Sequence, residues 1–182
     1  MENELIEKIK VTPDFEDEKT IQLFEGLGEI KKQGFITKEQ GIKILKWKSP
    51  RPLRHYESNS ANDFEEISKL SFESKDERIR IHVLTALVGV NYPAASAILM
   101  FYDKTQYPII DIRVWKQLYK AGLVETNARG QGFKLKEWEK YLITIRGLAK
   151  KLKLTPRQVE KRLFDIDKKE QKGNLYSNTK SK

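Results

Sequence analysis

Residues 87–115 read LVGVNYPAASAILMFYDKTQYPIIDIRVW, and how this stretch folds decides the rest of the chain. An apolar helix ends at Val88 and the chain turns through Gly89-Val90-Asn91. A second helix then begins near Pro93, whose fixed φ suits a first helical turn. Gly89 supplies a tightly turned or left-handed backbone without steric cost, and Asn91 is the non-glycine residue that best tolerates that region. Ala94, Ala95, Ser96 and Ala97 keep the following face small, so the two helices can approach closely. Such a hairpin is either ordinary packing or a surface of helix N-terminal amides suited to a phosphate. At the far end, the proline-stiffened YPII leads to Asp111 at the start of a further helix. There the carboxylate either caps helix amides or stands ready to serve a reaction.

Working outward, apolar residues recur at helical spacing nearly throughout, so an all-α chain is expected. Towards the N-terminus the pattern predicts helices near Asn3 to Ile9, from about Phe15 to Lys32, and over KEQGIKILKWK after a Thr37 cap, with Gly34 closing the second. SPRPLRHYESNS, residues 49–60, reads as an irregular loop because two prolines interrupt it. Ser60 or Asn62 would cap a helix bearing Phe64, Ile67 and Leu70. DERIRIHVLTALV alternates like a strand at Ile79, Ile81 and Val83, yet its length and the lack of a sheet partner favour a helix buried on most sides, with His82 as a core histidine. Towards the C-terminus come DIRVWKQLYKAG, a Gly-rich loop, a helix near Lys134 to Lys151 and a last helix capped by Thr155 with Pro156 following. Trp115 and Trp138 sit at core spacing. The pair of helices in LAKKLKLTPRQVEKRLF, with Leu148, Leu152, Val159 and Leu163 inside, also resembles a helix-turn-helix, a pattern that any two short packed helices give. The chain is expected to form one domain over 1–166, its hairpin portion spanning about 60–125, with a polar mobile tail over 167–182.

The 182 residues suffice for one sizeable core, and 38% hydrophobic residues place the chain in the globular class. Cysteine is absent, which removes disulfides, thiol nucleophiles and thiolate metal sites; with only His55 and His82 as imidazoles, no metal or other cofactor is expected. No apolar run long enough for a membrane span and no leader-like N-terminus are seen, so a soluble cytoplasmic protein without a membrane partner is expected. Charge is uneven. Residues 1–30 carry nine acids against three lysines, so the remaining 152 residues hold +15 of a total of +9. A basic body suits either a polyanionic partner or a solvated surface.

In LVGVNYPAASAIL and YPIIDIRVW, the order, character and separation of the motifs resemble the helix-hairpin-helix DNA glycosylases, the base-excision repair superfamily. The motif-level likeness covers about 30 residues, and a looser helical likeness runs from about Trp47 to Phe164. The resemblance implies a two-lobed helical fold with a site between the lobes, double-stranded DNA as partner, and cleavage of the N-glycosidic bond of a damaged or mispaired base. The family's catalytic aspartate falls on Asp111, and its DNA-gripping hairpin on Gly89, Val90, Asn91 and Ala94. Arg113 matches a position that can face a phosphate. Lyase-competent members carry a lysine four residues after the first hairpin glycine; this chain has Pro93 there, so hydrolysis by water is implied. The family's usual proline and second glycine of the hairpin are replaced by Val88 and Asn91, and the cysteine cluster of some branches is absent.

KWKSPRPLRHY adds basic Lys48, Arg51 and Arg54 beside the aromatic Trp47, a mixture suited to phosphate neutralisation and base stacking, although Trp47 could equally end its helix inside the core. A monomer is expected, nucleoid-associated in a bacterium. A helix-hairpin-helix protein that binds nucleic acid without catalysis satisfies the same pattern, with no need for Asp111; a helical domain that meets an acidic protein is a third, weaker reading.

Overall fold

The computed structural model describes residues 1–171, and among them every regular element is helical. The order is α1 Glu2–Val11, α2 Glu18–Gly26, α3 Ile30–Gln33, α4 Lys38–Lys48, α5 Leu53–Glu57, α6 Ala61–Glu73, α7 Glu77–Leu84, α8 Tyr92–Tyr102, α9 Ile112–Lys120, α10 Leu135–Leu152 and α11 Pro156–Glu170. No helix of the described residues is long and apolar enough to cross a membrane.

Local signals set most boundaries. Thr37, Ser60 and Thr155 each accept an amide three residues on, while the side chains of Gln40, Asp63 and Gln158 reach back to close capping boxes. Gly34, at φ 80°, ends α3. The single helix expected from Phe15 to Lys32 is instead two: Asp17 caps α2, whose start leaves Phe15 outside, and Gly26 and Gly28 flank the break before α3. Residues 49–60 are not wholly irregular either. They contain α5, fastened by Asn59, whose amide donates to the carbonyls of His55, Tyr56 and Val88 while its oxygen accepts the Val88 amide at 2.7 Å.

Residues 77–84 are helical, so the alternation at 79–83 does not make a strand. The buried side of α7 is narrower than expected, however. Ile81, Leu84 and Leu87 are buried, whereas Ile79 and Val88 are more than half exposed. His82 is also exposed and is no core histidine; its Nδ1 lies 2.8 Å from the Tyr92 hydroxyl.

Packing falls into two groups. Helices α4 to α8 pack mainly on one another, α1, α9, α10 and α11 do likewise, and α7 against α10 joins the groups. The middle group therefore gains α4 and α5 and gives up α9, unlike the boundaries expected near 60 and 125. Residues Ala94 to Phe101 of α8 are all buried, which their small or apolar side chains permit. Trp115 and Trp138 are fully buried, as their spacing suggested. Helix α11 continues past 166 to Glu170 because Asp167 is buried and accepts from Gln117 at 3.0 Å. The remainder of the expected tail, 172–182, lies outside the described residues.

Candidate active site

Asp111 reaches its position through two anchors on the segment before it. The Ser96 hydroxyl of α8 accepts the Ile110 amide at 3.1 Å, and the Tyr141 hydroxyl of α10 donates to the Ile109 carbonyl at 2.6 Å. Segment 107–110 is buried and so fixed from both helix groups. Asp111 then caps α9, its Oδ1 accepting the Arg113 amide at 2.9 Å. Its Oδ2 accepts from Lys48 Nζ at 2.8 Å, a pair whose side chains are only 18% and 15% exposed.

The pair lies in a cleft of about 480 Å³ walled by α4, the 109–113 segment and α11. Burial raises the Asp111 carboxyl's pKa, but the charge and hydrogen bond of Lys48, then the Arg113 amide and charge, outweigh it and hold the group below its ordinary value. A desolvated yet ionised carboxylate at a helix N-terminus can stabilise positive charge developing on a bound molecule. Such a group adds stability above an ordinary pKa of 3.8, and that stability is lost as pH falls through the depressed folded value. In Lys48→Met burial loses its main opposition, so Asp111 takes up its proton at higher pH. The acid unfolding midpoint, followed by circular dichroism, is therefore expected to move up in pH. An unchanged midpoint would show that Lys48 does not hold the carboxylate ionised.

Two residues of α11 that the sequence reading did not single out complete the cleft. Arg157, 5% exposed, forks onto Glu16 with Nε at 2.7 Å and Nη2 at 3.0 Å, and its Nη1 donates to Glu160. Burial opposes the charge of Arg157, and Glu160 and Glu16 outweigh it, so its pKa is raised. Glu160, 3% exposed, has its pKa raised by burial against the lowering influence of Arg157 and Lys48. A signal was present in TPRQVEKRLF, where both charges lie on a turn that also carries the buried Pro156, Val159 and Leu163. The partner of Arg157 in the N-terminal arm, Glu16, lies 141 positions away and left no such trace.

Trp47 lines the cleft with its indole N–H donating to the Thr20 hydroxyl at 3.0 Å and its ring edge-on to Phe101. The ring is thus fixed in a wall, half-buried, with one side towards the cleft. Arg113 also lines the cleft, with Nη1 donating to Asp167 at 3.3 Å and to Gln171.

Helices α7 and α8 pack as a hairpin, but α7 ends at Leu84 and not at Val88, so residues 85–91 make the connection. Gly89 has φ 83°, as a tight turn requires. Asn91 does not share that conformation. It is extended at φ −102°, and it is the N-cap of α8, accepting the Ala94 amide at 3.1 Å. Ala94 consequently offers no free amide, and both it and Val90 are buried; Gly89 and Asn91 are the exposed hairpin residues. The structure joins this turn to the basic loop. A β-carbon on Gly89 would stand 2.7 Å from His55 Cβ and 3.2 Å from the Tyr56 ring. Arg51 and Arg54 are exposed in that loop, which runs from Lys48 at the cleft to Asn59 against the hairpin. Gly89→Ala adds left-handed strain to this clash and is expected to cost about 2 kcal/mol or more. Chemical denaturation reads the loss; a cost near zero would mean the turn and loop part easily.

No family model, curated protein or solved structure is found to match the chain, and the chemistry of the cleft is read from its own side chains.

Proposed function

We propose that the protein is a DNA glycosylase-like hydrolase that binds double-stranded DNA and cleaves the N-glycosidic bond of a damaged or mispaired base. The observation that carries this reading is Asp111, ionised and largely desolvated at a helix start, in a cleft between two groups of helices. The two groups serve as the lobes of a glycosylase-like fold. The target nucleotide is flipped from the duplex into the cleft. As the C1′–N bond stretches, Asp111 stabilises the oxocarbenium-like sugar, and water adds at C1′. Exposed Gly89 and Asn91, with Arg51 and Arg54 on the adjoining loop, hold the phosphates and fix register rather than read bases. Pro93 offers no amine at the family's lysine position, consistent with water as nucleophile. The protein acts as a cytoplasmic or nucleoid-associated monomer.

One observation favours a non-catalytic nucleic-acid-binding protein instead: both oxygens of Asp111 have partners, as a purely structural cap would. Incubation with duplexes carrying uracil, oxidised, alkylated and mismatched bases, followed by chemical cleavage of abasic sites, separates the readings. Strand breaks well above those of an Asp111→Asn control are expected on at least one duplex. Breaks at the control's level on every duplex would sink the glycosylase reading. Duplex binding should weaken steeply with salt, and salt-insensitive binding would remove both.

A further inference from the structure

We propose that Lys48 is a latch opened by the nucleic acid itself: a phosphate flanking the flipped nucleotide takes the ammonium away from Asp111 and so frees the carboxylate for the sugar. This rests on the glycosylase reading above. Both oxygens of Asp111 are engaged, Oδ1 with the Arg113 amide at 2.9 Å and Oδ2 with Lys48 Nζ at 2.8 Å. The amide belongs to the helix cap and leaves the negative charge intact. The ammonium does not: at that distance it cancels most of the field that the carboxylate would otherwise turn on a cationic sugar. The pair must therefore part before Asp111 can act.

Among the cations lining the cleft, Lys48 is the one suited to such an exchange. Arg113 is held by Asp167 and Gln171, Arg157 by Glu16 and Glu160, and Lys161 by Asp165, carboxylates with no part in the reaction. Lys48 is held by the carboxylate that the reaction needs, through an ammonium on a flexible stem that is still 15% exposed. It is also the last residue of α4, directly before the loop that carries the exposed Arg51 and Arg54. A strand whose phosphates follow those arginines towards the cleft meets Lys48 next. The phosphates on either side of a nucleotide are bonded to its own sugar, so a nucleotide with C1′ beside Asp111 brings one within reach of the lysine stem. Once ammonium and phosphate pair, the cationic sugar replaces Lys48 as the charge that keeps the desolvated carboxylate ionised. The exchange accompanies flipping, after the duplex has docked, so an unflipped strand leaves the latch shut. A free nucleoside lacks the phosphate that opens it, and the substrate is a polynucleotide.

The test places a neutral methylphosphonate at one phosphate at a time around the target nucleotide, in whichever duplex of the panel above releases its base. Release is followed in single turnovers with protein in saturating excess, so that docking does not limit it. With the wild-type protein, neutralising one of the two flanking phosphates is expected to slow release by about tenfold or more. In Lys48→Met the same replacement is expected to change release by no more than about twofold, because no ammonium remains for that phosphate to claim. A lysine that only supports the fold around Asp111 would give no such position-specific coupling. Where the variant releases too little base to follow, affinity for a duplex carrying a tetrahydrofuran abasic-site analogue gives the same comparison: the flanking methylphosphonate should weaken wild-type binding and leave that of the variant unchanged. Wild-type release unaffected at both flanking positions, or an equal loss in Lys48→Met, would overturn the latch and leave the glycosylase reading standing. Release of no base from any all-phosphate duplex would overturn both. The wild-type series does not depend on the variant folding.

Discussion

Asp111→Asn is expected to slow base release by about a hundredfold or more, while duplex affinity changes little. The asparagine oxygen can still accept the Arg113 amide, so the start of α9 survives the change. What is lost is the negative charge, which is worth most in a desolvated cleft where a cationic sugar develops beside it. The substitution also strands Lys48, whose Nζ has Asp111 as its ion-pair partner. Lys48 is 15% exposed and can swing partly to solvent, so the stability cost should fall below the 3–5 kcal/mol typical of a broken buried pair. The double variant Asp111→Asn/Lys48→Met separates the two effects. It should recover stability towards the wild type, measured by denaturant unfolding, without recovering base release under single-turnover conditions. Release restored in the double variant, or near wild-type release in Asp111→Asn, would remove the carboxylate from the chemistry and leave the binding-protein reading.

Much of this site was legible in the sequence, and the division between what was and what was not has a physical cause. Asp111 as a helix start, Gly89 as a left-handed turn, and the Thr37, Ser60 and Thr155 caps are satisfied within a few residues, so local spacing carries the information. Asn91 was read for the right place but the wrong backbone, because asparagine serves left-handed turns and N-caps alike and only the position of Pro93 favours the second. The Lys48–Asp111 pair spans 63 positions and the fork of Arg157 on Glu16 spans 141. Nothing local marks such partners. Lys48 was read as a phosphate contact for the same reason, since a lysine in a basic run gives no sign that a carboxylate will claim it. The outward turn of Ile79 and Val88 was likewise invisible, because seven apolar positions on one stretch do not say which face the neighbouring helix covers.

Arg157→Ala is expected to lower folding stability by about 3–5 kcal/mol, the largest stability loss of any single truncation around the cleft. The side chain is 5% exposed and ties three parts of the chain together: Glu16 in the N-terminal arm, Glu160 one turn along α11, and Trp47 at the end of α4, whose ring centre lies 6.0 Å from Cζ. Removing the guanidinium leaves Glu160 buried with no ion-pair partner and frees the arm from its fork. Arg157→Met keeps the aliphatic stem and should lose less packing, yet it leaves the same carboxyls unmatched. Arg157→Lys keeps the charge but cannot fork onto Glu16, and should fall between the two. The pH dependence has a definite sign. Burial raises Glu160 above its ordinary 4.5, so the stability associated with it is fully present below that value and falls as pH rises towards the folded one. Without Arg157 the folded value climbs further, so the deficit of Arg157→Ala should widen as pH rises past the folded value of the wild type. Urea unfolding midpoints across pH read this directly, and limited proteolysis should cut earlier within residues 12–17. A deficit that stays constant with pH would mean that Glu160 keeps its proton regardless of Arg157, and that the loss comes only from packing and the released arm.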